Sequence, residues 1–415
     1  MTPDEILATA DRLADPTAGH LPTGEAWWRQ SLAHGAPGIA LLHTELAAAG
    51  ARPWDRVRTW MEVVAAGPIT IGPQAGLFYG GGAAAFALAA VNAARPGTYT
   101  GPLAVLDSRL AEDTVRRTAG ARARIDAGEL PHLAEFDTLR GLAGLGRYLL
   151  RRAPANQDQT EALTAVLDYL AALTGPLVDG QDVLPGWWTR TGPGGEPDDE
   201  GFDGGHANFG LAHGIAGPLA LLSLALLRGI EVPGHRAAIT TISDWLNSWR
   251  TGDGDNARWP YMITRAEYRE QPSQVEHSGA RRRPSWCYGT AGLARTQQLA
   301  ALALDDPALR ATAEHALIGA LTDPAQLAAT VDTTICHGYA GLARIAERAA
   351  ADADPPNAEH LRPLIPDLLS QSPDATTGPY SHGLLEGAAG TALAALTTGT
   401  GAPPVTGWDT CLLIA

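Results

Sequence analysis

Cys287, Cys336 and His337 stand at equivalent places in two copies of one short pattern, WCYGTAGLA (286–294) and ICHGYAGLA (335–343). Two thiols and an imidazole are soft or borderline ligands, and at the starts of repeats arranged about a common axis they can converge on one metal ion. The chain holds three cysteines, so two of them are committed to this pattern. Two thiolates and a neutral imidazole nearly balance a divalent charge, the set that Zn²⁺ favours in four-coordinate geometry. Three protein ligands leave one position open, which separates a catalytic zinc centre from a closed structural one. Cys336 and His337 are adjacent, so neither a regular strand nor the middle of a helix presents both; a tight turn at Gly338 is expected. The competing reading makes both cysteines small buried hydrophobes and His337 a cap. Cys411, in WDTCLLIA, lacks any such context and is read as packing.

His213 occupies in AHGIAG the slot that Tyr288 and His337 occupy in their copies, and His34 and His382 hold comparable slots. An imidazole beside a Lewis acid is a ready proton donor, and a His before Gly is otherwise a capping residue. Asp137, four residues before Gly141 in EFDTLRG, sits at another such turn, where helix capping is its ordinary role. Arg283 ends the run Arg281-Arg282-Arg283, four residues before the first of the paired cysteines; its ordinary reading is a solvated loop charge.

These residues lie in a recurring pattern: a glycine-led turn, often His-Gly-x-x-Gly, followed by an Ala/Leu-rich segment. Seven copies occur, at 33–46, 79–91, 140–150, 212–227, 288–304, 337–350 and 382–396. Their leading glycines, Gly35, Gly80, Gly141, Gly214, Gly289, Gly338 and Gly383, are separated by 45, 61, 73, 75, 49 and 45 residues. The shortest spacing suits one inward helix, a loop, a returning outer helix and a second loop. Segments 161–173, 235–249 and 360–371 carry apolar residues three and four apart, as outer helices require. The repeat segments are apolar nearly all round, which suits helices packed on both sides. A closed ring of helical hairpins also needs no polar terminal cap. The expectation is all-α: an α/α toroid of seven inner and seven outer helices, forming one domain over 1–415.

The longer spacings must hold extra segments. Residues 97–134 are arginine-rich and read as an outer helix pair; 180–210 and 252–285 read as long Gly/Pro/Trp-rich loops lining one mouth of the barrel. Trp187, Trp188, Trp259 and Trp286 either wall a groove for an extended peptide or pack the loops down.

A net charge of −15 argues against nucleic-acid binding, which needs clustered positive charge. All 30 basic residues are arginine, suited to fork-like contacts with oxyanions. No secretory signal or membrane-length apolar stretch is visible, so a soluble cytoplasmic setting is expected, where paired cysteines serve as ligands or nucleophiles. A glycosidase on a helical toroid would need two facing carboxylates, whereas the repeat starts offer Cys and His.

Taken together, WCYGxxG, CHGxxG, AHGxxG, EFDxxRGLxGLGxYLL, a terminal HGLxxGxxGxxxxL and a closing GWDxxLL resemble the lanthionine-forming cyclases of lantibiotic biosynthesis, the LanC-like family. The resemblance runs from residue 31 to the end and is similar to a free-standing cyclase rather than the carboxy-terminal part of a fused enzyme. It implies an α/α toroid with one Zn²⁺ held by Cys287, Cys336 and His337. By the same resemblance His213 and Asp137 are the candidate acid/base residues and Arg283 the active-site arginine. The implied reaction is intramolecular addition of peptide cysteine thiols to dehydroalanine or dehydrobutyrine. The implied partners are a dehydrated precursor peptide with its leader, a dehydratase and an exporter, with peripheral membrane association through such a complex. Some members insert a small strand-rich domain after the second repeat; here 92–134 is read as a reduced insertion. Some eukaryotic relatives suggest an alternative, a zinc-dependent thiol or peptide receptor without catalysis.

Overall fold

The structure is a computed structural model describing residues 1–21, 26–153, 156–195, 201–270, 283–371 and 380–415. Arg281 and Arg282 lie outside the described residues. Helix dominates, and seven helices begin at the repeat starts: Ala36–Ala48, Gly81–Ala94, Leu142–Arg152, Ala216–Leu227, Thr290–Leu304, Tyr339–Asp352 and Ala388–Thr397. Gly35, Gly80, Gly141, Gly289 and Gly338 are the residues that cap their amino ends. In the fourth copy the helix begins one residue later, after Ile215. In the seventh it begins after Gly387 rather than at the expected Gly383, because Leu384-Leu385-Glu386 lengthens the turn.

Burial follows composition. Helix Ala216–Leu227 is buried along its whole length except Leu227, and Gly81–Ala94 from Gly81 to Val91. Neither has a polar face to turn to water, so each must be packed on all sides. Helix His235–Ser248 instead buries Ala238, Ile239, Ile242 and Leu246, spaced for one face, as a covering helix does.

The contacts resolve two compact units. The first comprises residues 1–110 with 330–412. In it, Tyr339–Asp352, Ala388–Thr397, Ala36–Ala48 and Gly81–Ala94 pack as successive neighbours. Three of them are backed by Leu364–Ser370, Pro3–Arg12 and Trp54–Val64. The second comprises 111–329 with 413–415. There, Leu142–Arg152, Ala216–Leu227 and Thr290–Leu304 are neighbours, backed by Gln157–Ala172, His235–Ser248 and Pro307–Thr322.

Three expectations need correction. The outer helix expected over 360–371 is two short helices, Pro355–Leu361 and Leu364–Ser370; Pro363 has no N–H to continue the first. The helix pair expected over 97–134 is one continuous helix, Thr100–Asp126. Its only proline, Pro102, sits in the first turn, where a missing N–H costs nothing. The segments read as loops contain strands: Asp182–Leu184, paired with Leu177–Asp179 just before the segment, and His206–Asn208, paired with Met262–Thr264.

In the first unit the closing GWD sequence is anchored by charge. Asp409 is fully buried and receives Arg344 Nε at 2.8 Å and Arg348 Nε at 2.6 Å, while the Arg344 guanidinium lies over the Trp408 ring. Burial alone would raise the Asp409 carboxyl; the two arginines outweigh it and hold it below the ordinary range.

Candidate active site

Within each unit the repeat turns are stitched side by side by backbone hydrogen bonds. In the second unit, Thr138 N–H donates to Ala212 O at 3.1 Å and its hydroxyl to Leu211 O at 2.6 Å. Leu211 N–H donates in turn to Cys287 O at 3.0 Å. The turns carrying Asp137, His213 and Cys287 are therefore held edge to edge. In the first unit, Cys336 N–H donates to Leu385 O at 2.8 Å and Leu385 N–H to Ala33 O at 3.0 Å, which joins the turns of Cys336, Leu385 and His34.

Asp137 both caps its turn and reaches the next. Its Oδ1 accepts from the N–H groups of Arg140 and Gly141, each at 2.7 Å, and its Oδ2 contacts His213 Nδ1 at 2.8 Å. Asp137 is buried, while the His213 side chain is 36% exposed. Burial disfavours the imidazolium, but the hydrogen bond and charge of Asp137, helped by Cys287, outweigh it and raise the His213 pKa. With Nδ1 held by the carboxylate, Nε2 is the nitrogen on the far side of the ring from Asp137.

His34 and His382, indistinguishable from His213 in sequence context, have no such partner among the described residues and behave differently. His34 packs against Tyr380, which stacks on Trp28, and burial pulls its pKa down to about 4. His382 meets His20 edge to face, and burial lowers its pKa too. Neither is charged near neutral pH.

Cys287 is buried and Cys336 half-buried, and neither is in a disulfide. Ser285 Oγ lies 3.6 Å from Cys287 Sγ. Gly289, which follows the Cys287 turn, has a φ of +114°, and a Cβ there would strike Arg283 O. Gly338 differs from expectation. Its backbone is extended, with φ −109°, and what it provides is room: a Cβ would fall on Thr334 N and Asp332 Oδ1.

Asp332 was not singled out in the sequence. Its Oδ2 lies 3.0 Å from His337 Nε2, and its Oδ1 accepts Thr334 N–H at 2.8 Å. Burial would raise its pKa, yet the contacts to His337 and Thr334 bring it down to about 2. Asx turns of this sort look like loop punctuation in a sequence, and only the fold shows the second oxygen on an imidazole.

Arg283 is half-buried rather than a solvated loop charge. Its carbonyl accepts the Tyr261 hydroxyl at 2.8 Å, and its Nε has no hydrogen-bond partner among the described residues. Trp187, Trp188, Trp259 and Trp286 are at most 2% exposed, which rules out a tryptophan-walled groove. Trp188 Nε1 donates to Gly204 O at 2.9 Å, pinning one loop. Among the described residues no helix is long and apolar enough to cross a membrane.

Residues 26–413 match the family described as Lanthionine synthetase C-like protein. The chain is 25% identical over 202 residues to the Nisin biosynthesis protein NisC of Lactococcus lactis subsp. lactis, a match spanning 48% of this chain and 47% of that protein. The solved structure of Nisin cyclase superposes over 99% of this chain and 96% of its own, with a TM-score of 0.75 at 20% identity. The fold class is thereby fixed as all-α, the α/α toroid of that cyclase.

Proposed function

We propose that this chain, which belongs to the lanthionine synthetase C-like family, is a zinc-dependent lanthipeptide cyclase. Its substrate is a dehydrated precursor peptide, whose cysteine thiols are added to dehydroalanine or dehydrobutyrine to close lanthionine or methyllanthionine rings. The observation that carries this reading is the edge-to-edge stitching of the Asp137, His213 and Cys287 turns, which brings a carboxylate-bound imidazole and a thiol outside any disulfide onto adjoining turns.

Cys287, Cys336 and His337 are proposed to hold one Zn²⁺. The donor set fits: two thiols outside any disulfide and one imidazole. When bound, zinc supplies a Lewis acid that makes an incoming thiol, ordinarily of pKa near 8.5, a thiolate at neutral pH.

The chain's own residues account for the remaining demands. Addition of sulfur at the β-carbon forms one C–S bond and leaves negative charge on Cα and its carbonyl, so one proton must reach Cα. His213 is the proposed donor, through Nε2, because Nδ1 is held by Asp137. Asp137 acts through His213 as a positioning residue, fixing its tautomer and keeping it protonated at higher pH. Arg283 is the proposed partner of the developing oxyanion, supported by an Nε donor that has no hydrogen-bond partner among the described residues. The proton lost from sulfur equals the proton gained at Cα, so mass is unchanged.

Incubation with a dehydrated, cysteine-containing peptide tests the reading. Loss of alkylatable thiol at constant mass is expected. Tight binding with every thiol retained would instead make the chain a receptor. A dehydratase and an exporter are proposed as further partners, and a cytoplasmic location is proposed with them.

A further inference from the structure

We propose that Asp332 is a positioning residue for the metal centre, gripping His337 at Nε2 so that Nδ1 is the nitrogen offered to the ion. The inference rests on the zinc reading above and names a residue and a nitrogen that the reading leaves open. An imidazole that donates Nε2–H to a carboxylate keeps its lone pair on Nδ1, and a carboxylate behind a metal-ligating histidine fixes both tautomer and ring orientation.

The carboxylate is itself immobilised. Asp332 Oδ2 stands 3.0 Å from Nε2, Oδ1 accepts Thr334 N–H at 2.8 Å, and the Asp332 carbonyl accepts Tyr339 N–H at 3.1 Å. The two side chains are 12% and 22% exposed, so water competes little for the contact. Gly338 completes the arrangement, since any Cβ at that position would occupy the place of Oδ1. The other candidate carboxylate, Glu386, has Oε1 at 4.0 Å from Nδ1, beyond hydrogen-bond range. The carboxylate that reaches hydrogen-bond distance is therefore the one at Nε2. The turn 332–339 thus has two tasks: it starts the helix Tyr339–Asp352 and it aims an imidazole.

The test uses the full chain, with zinc affinity measured by competition against a chromogenic chelator for wild type, Asp332→Asn and Asp332→Ala. Nitrogen-15 NMR of the histidine-labelled, zinc-loaded wild type reads the tautomer directly. The expected result is Nδ1 ligated and Nε2 protonated, with zinc affinity about 10- to 100-fold weaker in Asp332→Ala and an intermediate loss in Asp332→Asn. Asp332→Asn keeps an acceptor for Thr334 N–H, so it remains informative if the alanine variant fails to fold. Metal on Nε2, or wild-type affinity in the folded variants, overturns the proposal while leaving the zinc reading intact. A wild-type protein that binds no zinc overturns both.

Discussion

Two imidazoles of the glycine-led repeat turns are each gripped by a carboxylate, and they are gripped at opposite nitrogens. In the second unit Asp137 takes His213 at Nδ1; in the first, Asp332 takes His337 at Nε2. Both carboxylates are fixed by backbone N–H groups of a turn at the start of a largely buried helix, so the local device is the same. What differs is the nitrogen presented. His213 has Nε2, at the far end of the ring, away from its Asp137 contact, and its raised pKa suits the proposed proton carrier. Under the zinc reading proposed above, His337 would offer Nδ1, the nitrogen closer to the backbone. One turn architecture thus yields a proposed acid and a proposed ligand according to where the aspartate stands: 76 residues before its histidine in one case, five in the other.

Substitution separates the two roles. Replacing Cys287, Cys336 or His337 by Ala is expected to abolish bound zinc and turnover together, as read by elemental analysis and ring closure. Replacing His213 by Ala is expected to leave zinc in place while slowing ring closure by about 10²- to 10⁴-fold. Loss of metal in His213→Ala would make that residue a ligand and dissolve the contrast.

A third buried aspartate sharpens it from another side. Asp409 grips arginines, not an imidazole, so Asp409→Ala should destabilise the protein by roughly 3–5 kcal/mol by stranding Arg344 and Arg348 without their partner. Denaturant unfolding reads that loss, and zinc per folded chain should not change. A melt unchanged from wild type would mean that the pair does not anchor the terminal segment.

A smaller effect appears in pH profiles. If imidazolium His213 is the acid, turnover falls as pH rises through its raised pKa. Asp137→Asn removes the charge that raises it, so the alkaline limb should move to lower pH. The same pairing stabilises the fold fully below the ordinary imidazole pKa of 6.5 and fades as pH rises through the elevated one. An alkaline limb that stays fixed in Asp137→Asn would remove His213 as the titrating group. Smallest of all, Trp188→Phe loses the bond to Gly204 and should cost about 0.5–1.5 kcal/mol with turnover intact, since the ring is buried.

The repeats were legible because each needs a glycine where chain segments crowd and an apolar sequence behind it; seven helices begin where those patterns stand. Family resemblance and full-length similarity to a solved cyclase agree with that reading. Pairings between copies were less visible. His34, His213 and His382 look alike in sequence, and only a carboxylate from a different copy sets His213 apart. Asp332 drew no reading from the sequence, because an aspartate two residues before a threonine is ordinary turn chemistry and its second oxygen acts across a local loop. The strands at His206–Asn208 and Met262–Thr264 are three residues each, too short for alternation to register.

Elemental mass spectrometry of the purified chain, run on wild type beside Cys336→Ala and His213→Ala, tests the zinc centre most directly. About one zinc per chain is expected in wild type and in His213→Ala, and none in Cys336→Ala. Full ring-closing activity in a wild-type preparation free of zinc would contradict the account.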